Sequence, residues 1–157
     1  MEGRRAVLDS IRRIVRAVKL SSRSSESTVG LSAAQVFVLQ RLAEHDGLSI
    51  NELASETLTH QSSVSVIVSK LAERRLVRRA ISRLDRRRTV ISLSAKGRRA
   101  LAGAPEAIQV RLIAALGDLS EADVTRLARL LARWTRAAGI AGTAPTPFGE
   151  GETSPIG

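Results

Sequence analysis

These 157 residues contain no cysteine and no tyrosine, and Trp134, Phe37 and Phe148 are the whole aromatic complement. Without a thiol there is no disulfide, no thiolate metal site and no thiol-based redox sensing. With so few rings the chain lacks the platforms on which single-stranded or RNA bases stack. The core must come from Leu, Ile, Val and Ala, which suits packed helices. Long apolar runs are missing too. Glu2, Arg4, Arg5, Asp9, Arg12 and Arg13 break up the start of the chain, so no signal peptide or membrane span is expected. His45 and His60 lie far apart without nearby acids, which argues against a metal site. No nucleophile–base–acid arrangement stands out, so an enzyme is the least favoured class. A cytoplasmic protein without cofactor or metal is the expectation.

What is present is positive charge, and it is concentrated. Lys70 to Arg99 holds twelve basic residues against Glu73 and Asp85, which accounts for the whole formal net charge of +10; elsewhere acids and bases balance. Such a local field seeks a polyanion. Most charge runs are merely solvated faces, but here the arginines interleave with an alternating apolar pattern, so the stretch is folded.

Along the chain, Arg5 to Leu20 has helical apolar spacing (Val7, Leu8, Ile11, Ile14, Val15, Val18), and Ser21 to Gly30 reads by composition as a loop. Ser32 with Gln35 and Ser49 with Glu52 are capping boxes that open two further helices. The first of these is expected to bury Val36, Leu39, Leu42 and Ala43 and to end at Asp46-Gly47; the second turns Leu53 and Ala54 inward. A fourth helix, from Gln61 to Arg74, buries Val64, Ile67, Val68 and Leu71. The period then falls to two: Val77–Ile81 and Thr89–Leu93 read as strands joined by the polar tip Ser82–Arg88. Ser94 caps a helix running towards Leu116 with a kink or break at Gly103-Ala-Pro105, and Ser120 with Asp123 starts a last one carrying Val124, Leu127, Leu130, Leu131 and Trp134. Beyond Gly139 the composition predicts a disordered tail. The fold class expected is mainly α: a winged helix-turn-helix (31–97) with a two-stranded β wing, flanked by an N-terminal dimerisation helix and loop (1–30) and by C-terminal dimerisation helices (98–139), with residues 140–157 as the tail.

A helix that enters the major groove needs a slim outer face. The fourth helix offers Gln61, Ser62, Ser63, Ser65, Val66, Ser69 and Lys70 there. Gln61 suits a bidentate pair with adenine, the serines donate or accept, Val66 suits a thymine methyl, and Lys70 lies better for a phosphate. Serine is a mediocre helix former, so stability alone would not select this surface. The tip, with Arg83, Arg86, Arg87 and Arg88, suits a minor groove of focused negative potential. Asp85 either pairs with a neighbouring arginine or forms the turn.

From Leu31 to Gly97 these residues resemble the MarR (multiple antibiotic resistance regulator) family of winged-helix transcription regulators. The segment Asp85-Arg-Arg-Arg-Thr-Val-Ile-Ser-Leu-Ser-Ala-Lys-Gly97 follows that family's wing signature of Asp-x-Arg, an apolar strand, Leu-Ser/Thr and x-Lys-Gly. Ser63-Val-Ser, with Leu71 and Leu76-Val77 after it, resembles its reading helix and the turn beyond. The resemblance implies a homodimer built by the first and last two helices, Arg87 in the minor groove, and often a small-ligand pocket between the dimerisation and DNA-binding parts. Two residues depart from the pattern. Val66 stands where the family commonly has arginine, and Arg75 replaces a usual glycine, which asks for a non-glycine residue in a left-handed conformation.

Ile11, Val15, Leu127, Leu131 and Trp134 are surplus to a three-helix core. They are the expected dimerisation residues, although such stripes more often complete a monomeric core. The functional expectation is a homodimeric, sequence-specific regulator, a repressor in the first instance, on a pseudo-palindromic double-stranded operator. A small anionic or phenolic effector would sit where the first, second and fifth helices meet, near Arg12, Arg16 or Arg41. The alternatives are a nonspecific or architectural nucleic-acid binder, or a winged-helix module for protein contacts; the arginine-loaded wing weighs against the latter. An inverted repeat among retained DNA fragments would separate the first two.

Overall fold

Four helices begin at serines that the sequence offers as caps. Ser32, Ser49, Ser94 and Ser120 accept the backbone N–H of Gln35, Glu52, Gly97 and Asp123, opening α2 (Ala33–Glu44), α3 (Ile50–Glu56), α5 (Ala95–Ala102) and α7 (Glu121–Ala137). In α2 and α3 the Gln35 and Glu52 side chains reach back to the cap N–H, completing both boxes. The other elements are α1 (Glu2–Val29), α4 (Gln61–Glu73), β1 (Val77–Ile81), β2 (Thr89–Leu93) and α6 (Ile108–Gly117). This is a computed structural model that describes residues 1–142 and residue 145. Most of the expected tail lies outside the described residues. Of the kink or break expected at Gly103–Pro105, the structure has the break, which separates α5 from α6.

The core lies between α2, α4 and the strands. Leu39, Leu42, Leu53, Val64, Val68 and Leu71 are completely or almost completely buried, and Leu76, Val77, Ile91 and Leu93 close the side nearest the hairpin. Helix α2 buries four successive residues, Val36 to Leu39, because α1, α3, α4, α5, α6 and β2 all pack around it. A helix surrounded in this way buries more than one stripe, while its last residues, Ala43 and Glu44, stay in solvent. Hence Phe37 and Val38 are inside although the single stripe omitted them, and Ala43, expected inside, is exposed.

The expected loop at Ser21–Gly30 is helical. Helix α1 continues through it and stops only at Gly30, whose φ of 65° forms a left-handed cap. Serine-rich composition suggests a loop only when nothing packs against the segment. Here Ser25 is fully buried, the Ser21 hydroxyl accepts the Ile108 N–H at 3.2 Å, and Val29 packs on the core. Small side chains let α1 approach α2 and α6 closely, and that packing overrides a weak local preference.

The hairpin pairs antiparallel from Val77↔Leu93 to Ile81↔Thr89, as its alternation predicts. Its root is bolted to the end of α4. The Ser94 hydroxyl donates towards the carbonyls of Arg75 (2.7 Å) and Leu76 (3.0 Å) while accepting the Gly97 N–H at 2.9 Å. Gly97 lies so close to Leu76 that a Cβ there would sit 2.0 Å from the Leu76 carbonyl oxygen. The chain leaves α4 through Arg75, whose φ of 60° is the left-handed conformation that the missing glycine implies.

Two substitutions test this junction in thermal melts. Gly97→Ala must push backbone against backbone and is expected to cost about 1–3 kcal/mol or more. Arg75→Gly relieves a left-handed non-glycine residue and is expected to raise stability by up to about 1 kcal/mol. A neutral Gly97→Ala would show that the junction yields easily.

Candidate nucleic-acid interface

Because α4 turns Val64, Ile67, Val68 and Leu71 into the core, its opposite side faces solvent. Ser62, Ser65, Val66 and Ser69 fall at i, i+3, i+4 and i+7 and form one narrow stripe. Gln61 is exposed at the start of the helix, while Ser63 and Lys70 are half-buried along its flank. Val66 is 52% exposed at the centre of the stripe, an apolar group with no packing role in the chain. A face this slim lets a helix backbone approach base edges.

The wing carries Arg83, Asp85, Arg86, Arg87 and Arg88, all exposed, on a tip closed by its own polar groups. The Ser82 hydroxyl accepts the N–H groups of Leu84 and Asp85, and Asp85 Oδ1 accepts the Arg87 N–H at 2.9 Å. Ser82 N–H and Arg88 N–H donate to the Arg88 and Asp85 carbonyls. Of its two expected roles, Asp85 therefore fills that of turn former.

Three contacts fix the wing against the helices. Leu48, just before α3, exchanges two backbone hydrogen bonds with Ile91 (3.1 and 2.7 Å), adding a bridge to the edge of β2. Arg79 on β1 donates to the Ser69 hydroxyl at 2.9 Å. Arg88, at the end of the tip, forms an ion pair with Glu52 of α3. The Glu52 oxygen that meets Arg88 also accepts the Ser49 N–H at 2.8 Å. The Ser49 backbone N–H is the main cause that holds the Glu52 carboxyl below the usual glutamate range; desolvation opposes it, and the Ser49 hydroxyl and the Arg88 guanidinium add to the lowering. Arg79, Glu52 and the fully exposed tip residue Leu84 were not legible as site residues. Strand alternation alone gives Arg79 an outward direction, but nothing in the sequence pairs residue 52 with residue 88.

Above α4 lies a cavity of about 370 Å³ between α2, the α3–α4 turn and α6. Ala34, Phe37, Thr57, His60, Ile67, Gln109 and Ile113 are among its lining residues. None of the arginines expected beside an effector lines this cavity; Arg12 and Arg16 line a second hollow of about 430 Å³ along α1, with Ile11, Val15 and Lys19. Arg12 is exposed and paired with Asp9, Arg16 is exposed on α1, and Arg41 stacks 5.4 Å from the Phe37 ring centre and pairs with Glu44. Leu58, at the mouth, has a φ of 49° and is 69% exposed. Among the described residues no helix is long and apolar enough to cross a membrane.

The depressed Glu52 value has a consequence with a definite sign. A carboxyl whose folded pKa is lowered contributes stability that is complete above its unfolded value and is lost as pH falls through the folded one. Thermal melts between about pH 6 and about pH 3 are expected to decline less steeply for Glu52→Gln than for the unsubstituted chain. Parallel curves would remove Glu52 from the acid response.

Comparison with known proteins places this surface in context. Residues 29–88 match a model of the MarR family. The chain is 31% identical over 113 residues to the HTH-type transcriptional repressor MdtR of Bacillus subtilis (strain 168), an alignment that covers 69% of this chain and 70% of that protein. Among solved structures it is similar to the transcriptional regulator BldR from Sulfolobus solfataricus, with a TM-score of 0.57 and 25% identity over 84% of this chain and 96% of that one. A MepR mutant from S. aureus bound to an oligodeoxyribonucleotide shares the fold, with a TM-score of 0.52 and 19% identity over 85% and 96% of the two chains. The slim outer face of α4, the arginine-tipped wing and these likenesses converge: the chain belongs to the MarR family of winged helix-turn-helix transcription regulators, which are not enzymes.

Proposed function

We propose that the chain is a homodimeric repressor that reads a pseudo-palindromic operator with α4 in the major groove and the wing in the adjoining minor groove. The observation that carries this reading is the Arg79–Ser69 hydrogen bond, which joins the reading stripe and the basic hairpin into one continuous surface. Gln61, Ser62, Ser63, Ser65 and Val66 are the base-reading candidates, Ser69 and Lys70 border the wing side, and Arg83, Arg86 and Arg87 are the groove candidates. MdtR is named a repressor and the MepR mutant was bound to an oligodeoxyribonucleotide; both support the same activity here.

Dimerisation is argued from uncovered apolar surface. Helix α7 has no buried residue, with Leu127, Leu131 and Trp134 each about two-fifths exposed. On α1, Val15 is exposed and Ile11 half-buried. A lone helix of 17 residues is marginal in water unless its apolar stripe is covered. A second copy covers it symmetrically and presents two reading helices to a two-fold operator.

For an effector, the cavity over α4 is the favoured place. Its lining has no lysine or arginine, which favours a phenolic or other neutral aromatic compound over a carboxylate. Such a compound would touch Thr57 to His60, the turn that aims α4, and by linkage would weaken DNA binding as much as DNA weakens its own.

Four measurements test this. Sequencing of DNA fragments retained at physiological salt is expected to return an inverted repeat with half-site centres roughly 10 bp apart. Sedimentation is expected to give a dimer that Leu131→Asp dissociates; a monomer binding single sites would overturn the reading. Arg87→Ala is expected to weaken operator binding by about 1–3 kcal/mol, measured by titration. Titrating neutral phenols and aromatic carboxylates against the operator complex is expected to show release by the phenols. Release by carboxylates alone would contradict the cavity assignment.

A further inference from the structure

Arg88 lies in the most basic run of the chain and by sequence counts as one more DNA contact. Its guanidinium is instead committed to Glu52, and Glu52 is already held in place by the Ser49 N–H as the capping-box partner of α3. We propose that Glu52 is a positioning residue for DNA reading: it retains Arg88 on the protein and so fixes the wing's angle, leaving Arg83, Arg86 and Arg87 to face the duplex. The proposal rests on the DNA-binding reading above and assigns the wing's geometry to a residue outside both reading elements.

A two-stranded ribbon alone twists and bends freely. At its root this one is held by the Ser94 junction and by the Leu48–Ile91 bridge. Residue 88 is three residues further towards the tip, about 10 Å along an extended strand. Without a hold there, the tip pivots about the bridge. The Arg79–Ser69 bond restrains the β1 edge, and the Arg88–Glu52 pair restrains the β2 edge against a different helix. Two restraints on opposite edges fix the direction in which the tip points.

Glu52 is well suited to this because its carboxylate cannot swing away without breaking the α3 cap. An exposed ion pair gives little stability, but a pair whose acid is pinned defines a position. The acid also has a second effect. It withholds one positive charge from phosphates, which lowers nonspecific attraction while leaving groove reading intact.

The test uses Glu52→Gln, which keeps the cap, because glutamine fills the same role at Gln35 in α2. Arg88→Ala is the second variant, and melting curves of both establish folding. With the full chain, affinity is measured against the selected operator duplex and a random-sequence duplex of equal length over a range of salt. For Glu52→Gln, binding to the random duplex is expected to tighten severalfold and the salt dependence to steepen by about one per wing. The ratio of operator to random affinity is expected to fall. Arg88→Ala is expected to leave the wild-type salt slope unchanged while also lowering that ratio, and to abolish the effect of Glu52→Gln on the slope in the double variant. A slope reduced by about one in Arg88→Ala would mean that Arg88 contacts phosphate in the native complex, which overturns the proposal. An unchanged slope and ratio in Glu52→Gln would overturn it too. Failure of the unsubstituted chain to bind any duplex would instead overturn the DNA-binding reading on which it rests.

Discussion

The wing and α4 form one surface only if the short turn between them is held in place, and the Ser94 hydroxyl holds it. It satisfies the carbonyls of Arg75 and Leu76 on one side and caps α5 on the other. Those carbonyls belong to the turn where α4 has ended and β1 begins, and the Leu76 carbonyl also accepts the Ser94 N–H at 3.0 Å, so Ser94 holds it twice. Gly97 allows the close approach, since any side chain there would collide with the Leu76 carbonyl. Lys96, between the two, donates to the Arg74 carbonyl at 3.0 Å and ties down the last turn of α4. The Leu-Ser-Ala-Lys-Gly stretch, which identifies the wing in sequence, thus works at its root.

The same junction connects outward to α1. The Arg74 guanidinium donates to the Gly30 carbonyl at 2.6 Å, where the left-handed cap of α1 turns that oxygen away from the helix. The end of the long first helix and the end of the reading helix are therefore joined by one side chain. The cavity lies at the other end of α4, beside its first turn, so the two ends of the reading helix answer to different neighbours.

Local chemistry was legible where a residue acts on its immediate neighbours. The serine caps, the inward faces of α4 and β2, the hairpin register and the left-handed Arg75 all depend on spacings of a few residues. What escaped the sequence depends on long-range packing. Ser21 to Val29 is helical because it lies against α2 and α6, which no composition rule sees. Phe37 and Val38 are buried because α2 is central, a property of the whole fold. At the site, the stripe on α4 and the arginine tip could be read in advance. The pairing of Arg88 with Glu52 and of Arg79 with Ser69 could not, because 36 and 10 residues of chain separate the partners. The charge count treated twelve basic residues as equivalent, whereas the structure divides them into those that hold the wing and those it presents.

The scarcity of rings carries an optical consequence. With no tyrosine in the chain, Trp134 dominates its near-ultraviolet absorption and emission. That indole sits on α7, two-fifths exposed and away from the core formed by α2, α4 and the strands. Its emission maximum therefore reports what covers α7 and is nearly blind to melting of the reading domain. In a denaturation experiment fluorescence and far-ultraviolet dichroism would follow different events, and for the proposed homodimer their separation along the denaturant axis would measure how far its two copies come apart before the helices melt.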